Sequence, residues 1–542
     1  MSTKRLINVK IITEDKIVEK TLTAGALLRD SVLSEGTGFS MPCGGNARCG
    51  NCRVKFLEGA PKPNSFDLRF LGEKELQQGV RLLCRCVPED DCVVDATCKA
   101  GAAQPRETLG LEEIEGKRDE ADIGGFERFG IAVDIGTTTI AGALVGINGK
   151  DDTALIRKTS VANHQKIFGA DVISRIAAAE EGHTKELQRL VLEDIKNLVQ
   201  ELAEGSAESL HIEVVAVSGN TTMENLLLGM DVKGLGHYPY EAKSLDLEVR
   251  SLPDLFKNAG VTFIPAELKS ARIVMFPGFS AFVGGDIVSG IYGLELSKEN
   301  GTLLLDLGTN GEMAFIRDDG IEVTSTAAGP VFEAGGISCG VPSVAGAVCS
   351  VTLGDDRSVS YEVIGGEKSG AIPGICGTGV MEAVSEMVGH GIVDETGLLM
   401  DDYFEEGFEI VGASGKEDAI RITQHDVRNV QLGKAAIYSG AEALLQGQIP
   451  DRVMIAGGFG SRVNIEKVKN LRMFPESFDD KIVAVGNASL VGAVKYVKAA
   501  LLGMRAEFSA IEELMDIKDA GRTVELAVAH AFSDNYMDAM NF

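Results

Sequence analysis

Seven of the ten cysteines fall between Cys43 and Cys98, and three share one glycine-rich loop, Cys43-x5-Cys49-x2-Cys52. Gly44, Gly45, Asn46, Ala47, Arg48, Gly50 and Asn51 fill the gaps, so backbone can approach the sulfurs closely. Four thiolates wrapped round a compact inorganic core hold a [2Fe-2S] cluster, and amides donating to sulfur tune its potential. The plant-type spacing is C-x4-C-x2-C…C; here the first gap is five residues. Zinc also takes C-x2-C pairs, but its tetrahedral sites usually use two of them, and the second is missing. The spacing therefore predicts a cluster held by Cys43, Cys49 and Cys52, with the fourth ligand from elsewhere in the module. Cys84, in Arg81-Leu82-Leu83-Cys84, and Cys86 compete for that place.

A second group of residues suits phosphate chemistry. No G-x4-G-K-[ST] occurs, which excludes a P-loop. Instead a buried-strand run ends in Asp134-Ile135-Gly136-Thr137-Thr138-Thr139. Amides and hydroxyls of such a turn donate to phosphate oxygens, while the Asp holds Mg2+ through water. The theme returns in Asp306-Leu307-Gly308-Thr309-Asn310-Gly311. Two similar halves facing each other across a cleft would explain the pair, and Asn310-Gly311 signals a hairpin. Gly377-Thr378-Gly379 forms another Gly-Thr loop, and Val453 to Gly460 reads as a strand running into Gly457, Gly458 and Gly460, against which a flat base could lie. Any one of these is an ordinary strand-end turn; the ordered set is more specific. Asp134 and Asp306 are the expected residues near Mg2+ and the attacking water. Glu312 is a candidate to orient that water, with an exposed strand position as the plainer reading. The seven histidines show no paired metal spacing.

The elements around these residues divide the chain. Leu6 to Ile11 partly alternates like a half-buried strand, a second strand ends near Leu22, and Ala24 to Leu33 reads as helix. Residues 1–98 make a small α+β module. Residues 99–127, polar and charged with little apolar periodicity, read as a flexible linker. Residues 128–542 carry a new α/β pattern. It includes an amphipathic helix over 184–204, with Leu187, Leu190, Ile195, Leu198 and Leu202 on one face and Gly205 beyond its end. The segment from Arg505 has helical periodicity and is expected to pack on this domain.

Composition narrows the classes. The 542 residues suggest about three or four domains. Asp and Glu number 80 against 52 Lys and Arg, a net charge of −28, which disfavours nucleic acid and anionic membranes as partners. No apolar run of about 18 residues occurs, and the N-terminus lacks a leader's apolar core, so a cytoplasmic protein is expected. Ten cysteines in a reducing compartment then need a purpose other than disulfides.

The x5 cysteine spacing resembles ferredoxin-like domains fused to larger enzymes, and the Leu-x-Cys pattern of such domains favours Cys84. The order of phosphate loop, second phosphate loop and adenosine loop resembles the acetate and sugar kinase, heat-shock protein and actin superfamily over about 129–500. With the cluster module added, the whole chain resembles the reductive activators of corrinoid proteins. Val217 to Met223, Gly284 to Ile287, Ala328 to Glu333 and Gly486 to Leu490 support the match. The resemblance implies a β-grasp [2Fe-2S] ferredoxin-like domain, a linker and a two-lobed ribonuclease-H-like (actin-like) ATPase domain with ATP and Mg2+ in its cleft. It also implies one-electron reduction of cob(II)alamin to cob(I)alamin in a corrinoid protein of a methyltransferase system. The electron would come from an external donor such as a ferredoxin or flavoprotein, and a homodimer is one assembly consistent with it. Some members carry an extra segment before the first phosphate loop; here Phe129 follows the linker directly.

Other readings share parts of this pattern. A redox-regulated small-molecule kinase would need a substrate pocket with a catalytic base, and none is located. An actin- or chaperone-like binding module with a structural cluster would turn ATP over slowly and be redox-silent. Activators of 2-hydroxyacyl-CoA dehydratases share the ATPase fold but place their cluster between two subunits, whereas all four ligands here lie in one module.

Overall fold

In the computed structural model, the described residues are 5–13, 17–33, 52–71, 73–96, 123–149, 152–204, 210–365, 372–413, 419–460, 464–526 and 532–542. The chain forms two compact units, residues 1–103 with 163–191, and residues 104–162 with 192–542. Among the described residues no helix is long and apolar enough to cross a membrane.

The first unit contains a five-stranded sheet. Its strands are β1 (Leu6–Ile12), β2 (Ile17–Thr23), β3 (Arg53–Glu58), β4 (Val80–Leu82) and β5 (Cys92–Asp95), in the order β2-β1-β5-β3-β4. Only β1 and β5 run parallel; the other neighbours are antiparallel. Alternation sends Ile7, Val9, Ile11, Val54 and Phe56 into one core with Leu28 and Val32. The helix is shorter than the 24–33 run suggested and covers Arg29–Leu33. Gly25 adopts a positive φ of 84°, and the Gly25 and Leu28 amides donate to the carbonyls of Pro88 and Cys86. Those tertiary bonds hold residues 24–28 out of helical geometry despite their helical propensity.

The second unit repeats one theme twice. Its first sheet contains β6 (Arg128–Ile135), β7 (Thr139–Ile147), β8 (Thr153–Ala162), β9 (Ile212–Gly219), β10 (Glu248–Ser251) and β11 (Arg272–Met275), in the order β10-β11-β9-β6-β7-β8. Its second contains β12 (Thr302–Leu307), β13 (Gly311–Arg317) and β14 (Gly320–Thr326). Two small hairpins follow, β15 (Val348–Leu353) with β16 (Val359–Val363), and β17 (Phe408–Val411) with β18 (Ile420–Ile422). Strands β19 (Arg452–Ala456), β20 (Ile482–Gly486) and β21 (Gly521–Thr523) complete the second sheet, in the order β20-β19-β12-β13-β14-β21. In both sheets three consecutive antiparallel strands are followed by a later strand parallel to the first of them, β9 to β6 and β19 to β12. The β6–β7 and β12–β13 turns carry the two Asp-x-Gly-Thr segments. The repeat seen as four-letter strings is thus a repeat of supersecondary structure.

The predicted amphipathic helix runs over Thr184–Leu202. Its five apolar positions are all buried, and a Cβ on Gly142 would lie 2.4 Å from Leu198 Cδ2. The C-terminal part of the chain packs as expected of its periodicity. Helix Met504–Asp519 contributes Leu514 and Ile517 to the core, β21 adds to the sheet edge at β14, and Phe542 is buried.

Candidate functional site

The cluster site begins at the end of β3. Cys52 immediately precedes that strand, and the Leu83 amide donates to its carbonyl at 2.7 Å. This extension of the β3–β4 ladder brings the Cys84 amide 3.5 Å from Cys52 Sγ. Both thiols are buried, each about 1% exposed. A capping box upstream fixes the approach. Asn64 and Asp67 exchange bonds at the start of helix Ser65–Phe70, and Asp67 Oδ1 accepts from the Leu82 amide at 2.8 Å. Two buried cysteines, the sulfur of one accepting the backbone amide of the other, fit a [2Fe-2S] ligand pair. Cys86 is also buried, but its carbonyl is tied to Leu28. Burial, with the Asp67 carboxylate nearby, pushes the Cys86 thiol well up. Cys43 and Cys49 lie outside the described residues.

The second site is a cleft between the β6–β7 and β12–β13 turns. Its lining includes Asp134, Gly136, Thr137, Thr138, Thr139, Asp286, Asp306, Gly308, Thr309, Asn310, Glu312, Glu333, Thr378, Gly457, Gly458, Asn487 and Ser489. Gly136 and Gly308 each close their turn with an amide bond, Gly136 N–H to the Thr139 carbonyl three residues on at 3.0 Å and Gly308 N–H to the Asn310 carbonyl two residues on at 3.1 Å. Gly457 has φ of 88°, and a Cβ there would meet Asp306 Oδ1 at 2.6 Å, so only glycine lets β19 end this close to the second turn. Gly377 and Gly379 lie behind the cleft rather than on its lining. Cβ atoms there would fall 1.8 Å from the Phe332 carbonyl and 2.5 Å from the Val348 carbonyl, so both are close-packing positions. Thr378 between them faces the cleft; Gly460 ends the short turn Gly457–Gly460, outside the lining.

The side chains form two hydrogen-bonded groups. In one, Asp134 accepts from Ser489 Oγ at 2.7 Å and from Asn487 Nδ2 at 2.8 Å. Because Ser489 has given its proton to Asp134, Ser218 is the donor in its 2.7 Å contact with Ser489. In the other, Thr309 donates to Glu333 Oε2 at 2.7 Å, and Thr138 donates to the same oxygen at 3.2 Å. Thr137 and Thr309 lie 3.0 Å apart through their hydroxyls. Glu312 is buried, about 7% exposed, and Asn310 Nδ2 lies 3.4 Å from its carboxylate.

Five carboxylates line this cleft: Asp134, Asp286, Asp306, Glu312 and Glu333. None of the described lining residues is Lys, Arg or His. Burial pushes Asp134 up, against the bonds from Ser489 and Asn487. It takes Asp286 up to about 7, with the Asp134 charge adding to the shift. Asp306 and Glu312 are raised well above their ordinary values by burial and by Asp286. Such a cluster is a high-energy arrangement that a cation would relieve.

Sequence reasoning placed Asp134, Asp306, Glu312 and the Gly-Thr loops but gave no role to Glu333, Asn487 or Ser489. Asn487 has a readable signal, since it caps helix Ala488–Leu502 directly after β20, accepting from the Leu490 amide at 2.8 Å. Glu333 lies in the Ala328 to Glu333 segment that supports the resemblance, but nothing there gives it a role; it ends a 3-10 turn, Pro330–Glu333, whose position depends on the tertiary fold.

Three regions match family models. Residues 13–89 match a 2Fe-2S iron-sulfur cluster binding domain, residues 129–299 the RACo middle region, and residues 300–542 the C-terminal domain of RACo, the ASKHA domain. The corrinoid activation enzyme RamQ of Eubacterium limosum is 31% identical over 400 residues, 68% of this chain and 64% of that enzyme. The [Co(II) methylated amine-specific corrinoid protein] reductase of Methanosarcina barkeri is 24% identical over 442 residues, 76% of this chain and 77% of that one. Among solved structures, a reductive activator for corrinoid,iron-sulfur protein superposes with a TM-score of 0.67 at 26% identity, covering 99% of this chain and 98% of the other. With the two RACo models running on from one another over 129–542 and a cluster-binding domain ahead of them, the chain belongs to the family of reductive activators of corrinoid proteins.

Proposed function

We propose that this protein is an ATP-dependent reductive activator that delivers one electron to the cob(II)alamin of a corrinoid protein, restoring cob(I)alamin for methyl transfer. The observation that carries the reading is the pairing, in one chain, of the buried Cys52–Cys84 sulfurs with a cleft built from two copies of one phosphate-loop hairpin. Domains at 1–98 and 128–542 joined by residues 99–127 suit that division of labour.

Cys52 and Cys84, with Cys43 and Cys49, would hold the [2Fe-2S] cluster. When bound, a plant-type cluster supplies one-electron chemistry near about −400 mV. An external donor such as a ferredoxin or flavoprotein would replace the electron.

The cleft's charge dictates how ATP enters. Five carboxylates and no described cationic side chain repel a bare triphosphate, so the nucleotide binds with a divalent cation, most simply Mg2+. Asp134 and Asp306 stand at matching strand ends, β6 and β12, and reach the ion directly or through water. The Thr137, Thr138 and Thr309 hydroxyls face the phosphates, while Phe332 and Phe459, 5.2 Å apart, give the base an apolar wall beside Gly457. Glu312 would orient the attacking water. Hydrolysis drives the electron uphill only if nucleotide states differ in their affinity for states of the partner.

The test is anaerobic absorbance spectroscopy of a cob(II)alamin-loaded corrinoid protein with this chain and a chemical reductant. Cob(I)alamin formed only with Mg-ATP is expected. A cluster that is reduced while cobalt stays Co(II), with every corrinoid partner tried, would overturn the reading.

A further inference from the structure

The threonine hydroxyls that line the cleft are already engaged, and by an anion. Thr309 gives its single hydroxyl proton to Glu333 Oε2 at 2.7 Å, so Thr137 must be the donor in the 3.0 Å contact with Thr309. Thr138 donates to the same Glu333 oxygen at 3.2 Å. Three hydroxyls from two loops, 172 residues apart in sequence, thus converge directly or in relay on one carboxylate oxygen. A carboxylate accepting several hydroxyl donors presents them with the same kind of partner as a phosphate oxygen.

We infer that Glu333 is an internal phosphate mimic, which holds the two phosphate loops together and must surrender their hydroxyls before a nucleotide phosphate can take them. This rests on the reading of the cleft as a nucleotide site. A hydroxyl has one proton, and it serves either Glu333 or the phosphate. The carboxylate also repels an incoming phosphate within a cleft that already carries Asp134, Asp286, Asp306 and Glu312. Glu333 therefore lowers nucleotide affinity, and it recaptures the hydroxyls when phosphate leaves.

Glu333 is well placed to exchange. It is only half-buried, on the last residue of the turn Pro330–Glu333. Its neighbours are not free to move with it. Phe332 is buried, and its carbonyl sits where Gly377 would carry a Cβ. Ala334 takes a left-handed φ of 60° that bends the chain away. The side chain swings on a fixed backbone, so the exchange needs rotamer change alone. Glu333 is a positioning residue, acting through the threonines.

Isothermal titration calorimetry of the full chain with Mg-ADP and with a non-hydrolysable Mg-ATP analogue tests this, using wild type, E333Q and E333A. Both variants are expected to bind the triphosphate analogue about tenfold tighter than wild type, about what one charge-assisted hydrogen bond is worth. Unchanged or weaker binding in E333Q, with the thermal melt of wild type, would overturn the inference and make Glu333 a structural strut or a cation ligand. E333Q keeps the side chain's shape, so it decides the matter if E333A does not fold. If neither wild type nor E333Q binds nucleotide, the reading of the cleft itself falls; if wild type binds and E333Q binds no tighter, only the mimic falls.

Discussion

Thr137 and Thr309, at equivalent places in the two hairpin turns, hold their hydroxyls 3.0 Å apart across the cleft. This contact ties one turn of the repeat to the other, and under the proposed function a phosphate would come between them. T137V and T309V keep side-chain volume but remove one and the other hydroxyl. Each is expected to reduce ATP hydrolysis by about tenfold or more through loss of phosphate donors. T309V should also loosen the nucleotide-free cleft, because it removes the shortest bond to Glu333. Steady-state ATPase assays with a thermal melt of each variant and of the double variant check this. A T137V enzyme with wild-type turnover would remove Thr137 from the site.

Asp134 separates function from stability. Its carboxylate is half-buried, and loss of solvent penalises the charged form, yet Ser489 and Asn487 are aimed at it. D134N keeps the shape but turns an NH2 toward one of those donors. Nucleotide hydrolysis is expected to fall by about 100-fold or more, while the nucleotide-free melting temperature stays level or rises, since a charge has left a low-dielectric site. Activity assays beside a Mg2+-free thermal melt give both numbers. A large loss of stability would make Asp134 chiefly a structural anchor.

The cysteines can be ranked by substitution. C84S should lose the cluster, and C86S should retain it with a modest loss of stability from the buried polar change. Anaerobic iron and sulfide analysis with visible absorbance reads both. A C86S protein that binds no iron would give Cys86 the fourth ligand position.

Much of this was legible because the signals are local. Asp-x-Gly-Thr needs only six consecutive residues to form a strand end and its turn, so both copies read directly from the chain. The β1 and β2 strands likewise follow from alternation over seven residues each. The helix over 24–33 was overread because carbonyls of Cys86 and Pro88, about sixty residues away in sequence, claim amides that a helix would use. Glu333 stayed silent for a related reason. Among 80 acidic residues nothing local marks the one that two distant threonines will bond.

Asp286 should give the nucleotide-free protein a distinctive acid side. Burial raises its folded pKa to about 7, above the ordinary value of 3.8. Between those values the folded state binds the extra proton, so stability is highest at the acid end and falls as pH rises through 7. One proton corresponds to a slope of about 1.4 kcal/mol per pH unit. D286N should flatten that slope, and saturating Mg2+ with nucleotide should reverse part of it by stabilising the ionised form. Thermal melts from pH 5 to pH 8 measure this, and a wild-type slope equal to that of D286N would sink it.

Lys434 predicts the opposite trend on the alkaline side. It is fully buried on helix Gln424–Leu445, donates to the carbonyls of Ala539 and Asn541, and lies 5.0 Å from the centre of the Phe542 ring. Among the described residues no carboxylate is bonded to its ammonium, and burial with the Arg472 charge lowers its pKa to about 7. The unfolded chain then binds the extra proton between about 7 and 10.5. Stability therefore rises with pH across that window, and the buried ammonium costs most below 7. Neutral Lys434 still donates to the carbonyls, so docking of the 539–542 segment survives. K434M removes the titration but leaves those carbonyls short of a donor. It should flatten the slope above pH 7 while lowering the melting temperature at pH 9, because the wild type there has the donor without the charge. Chemical denaturation at pH 7, 8 and 9 reads both effects, and a K434M protein with the wild-type pH slope would show that the lysine is solvated enough to keep its ordinary charge.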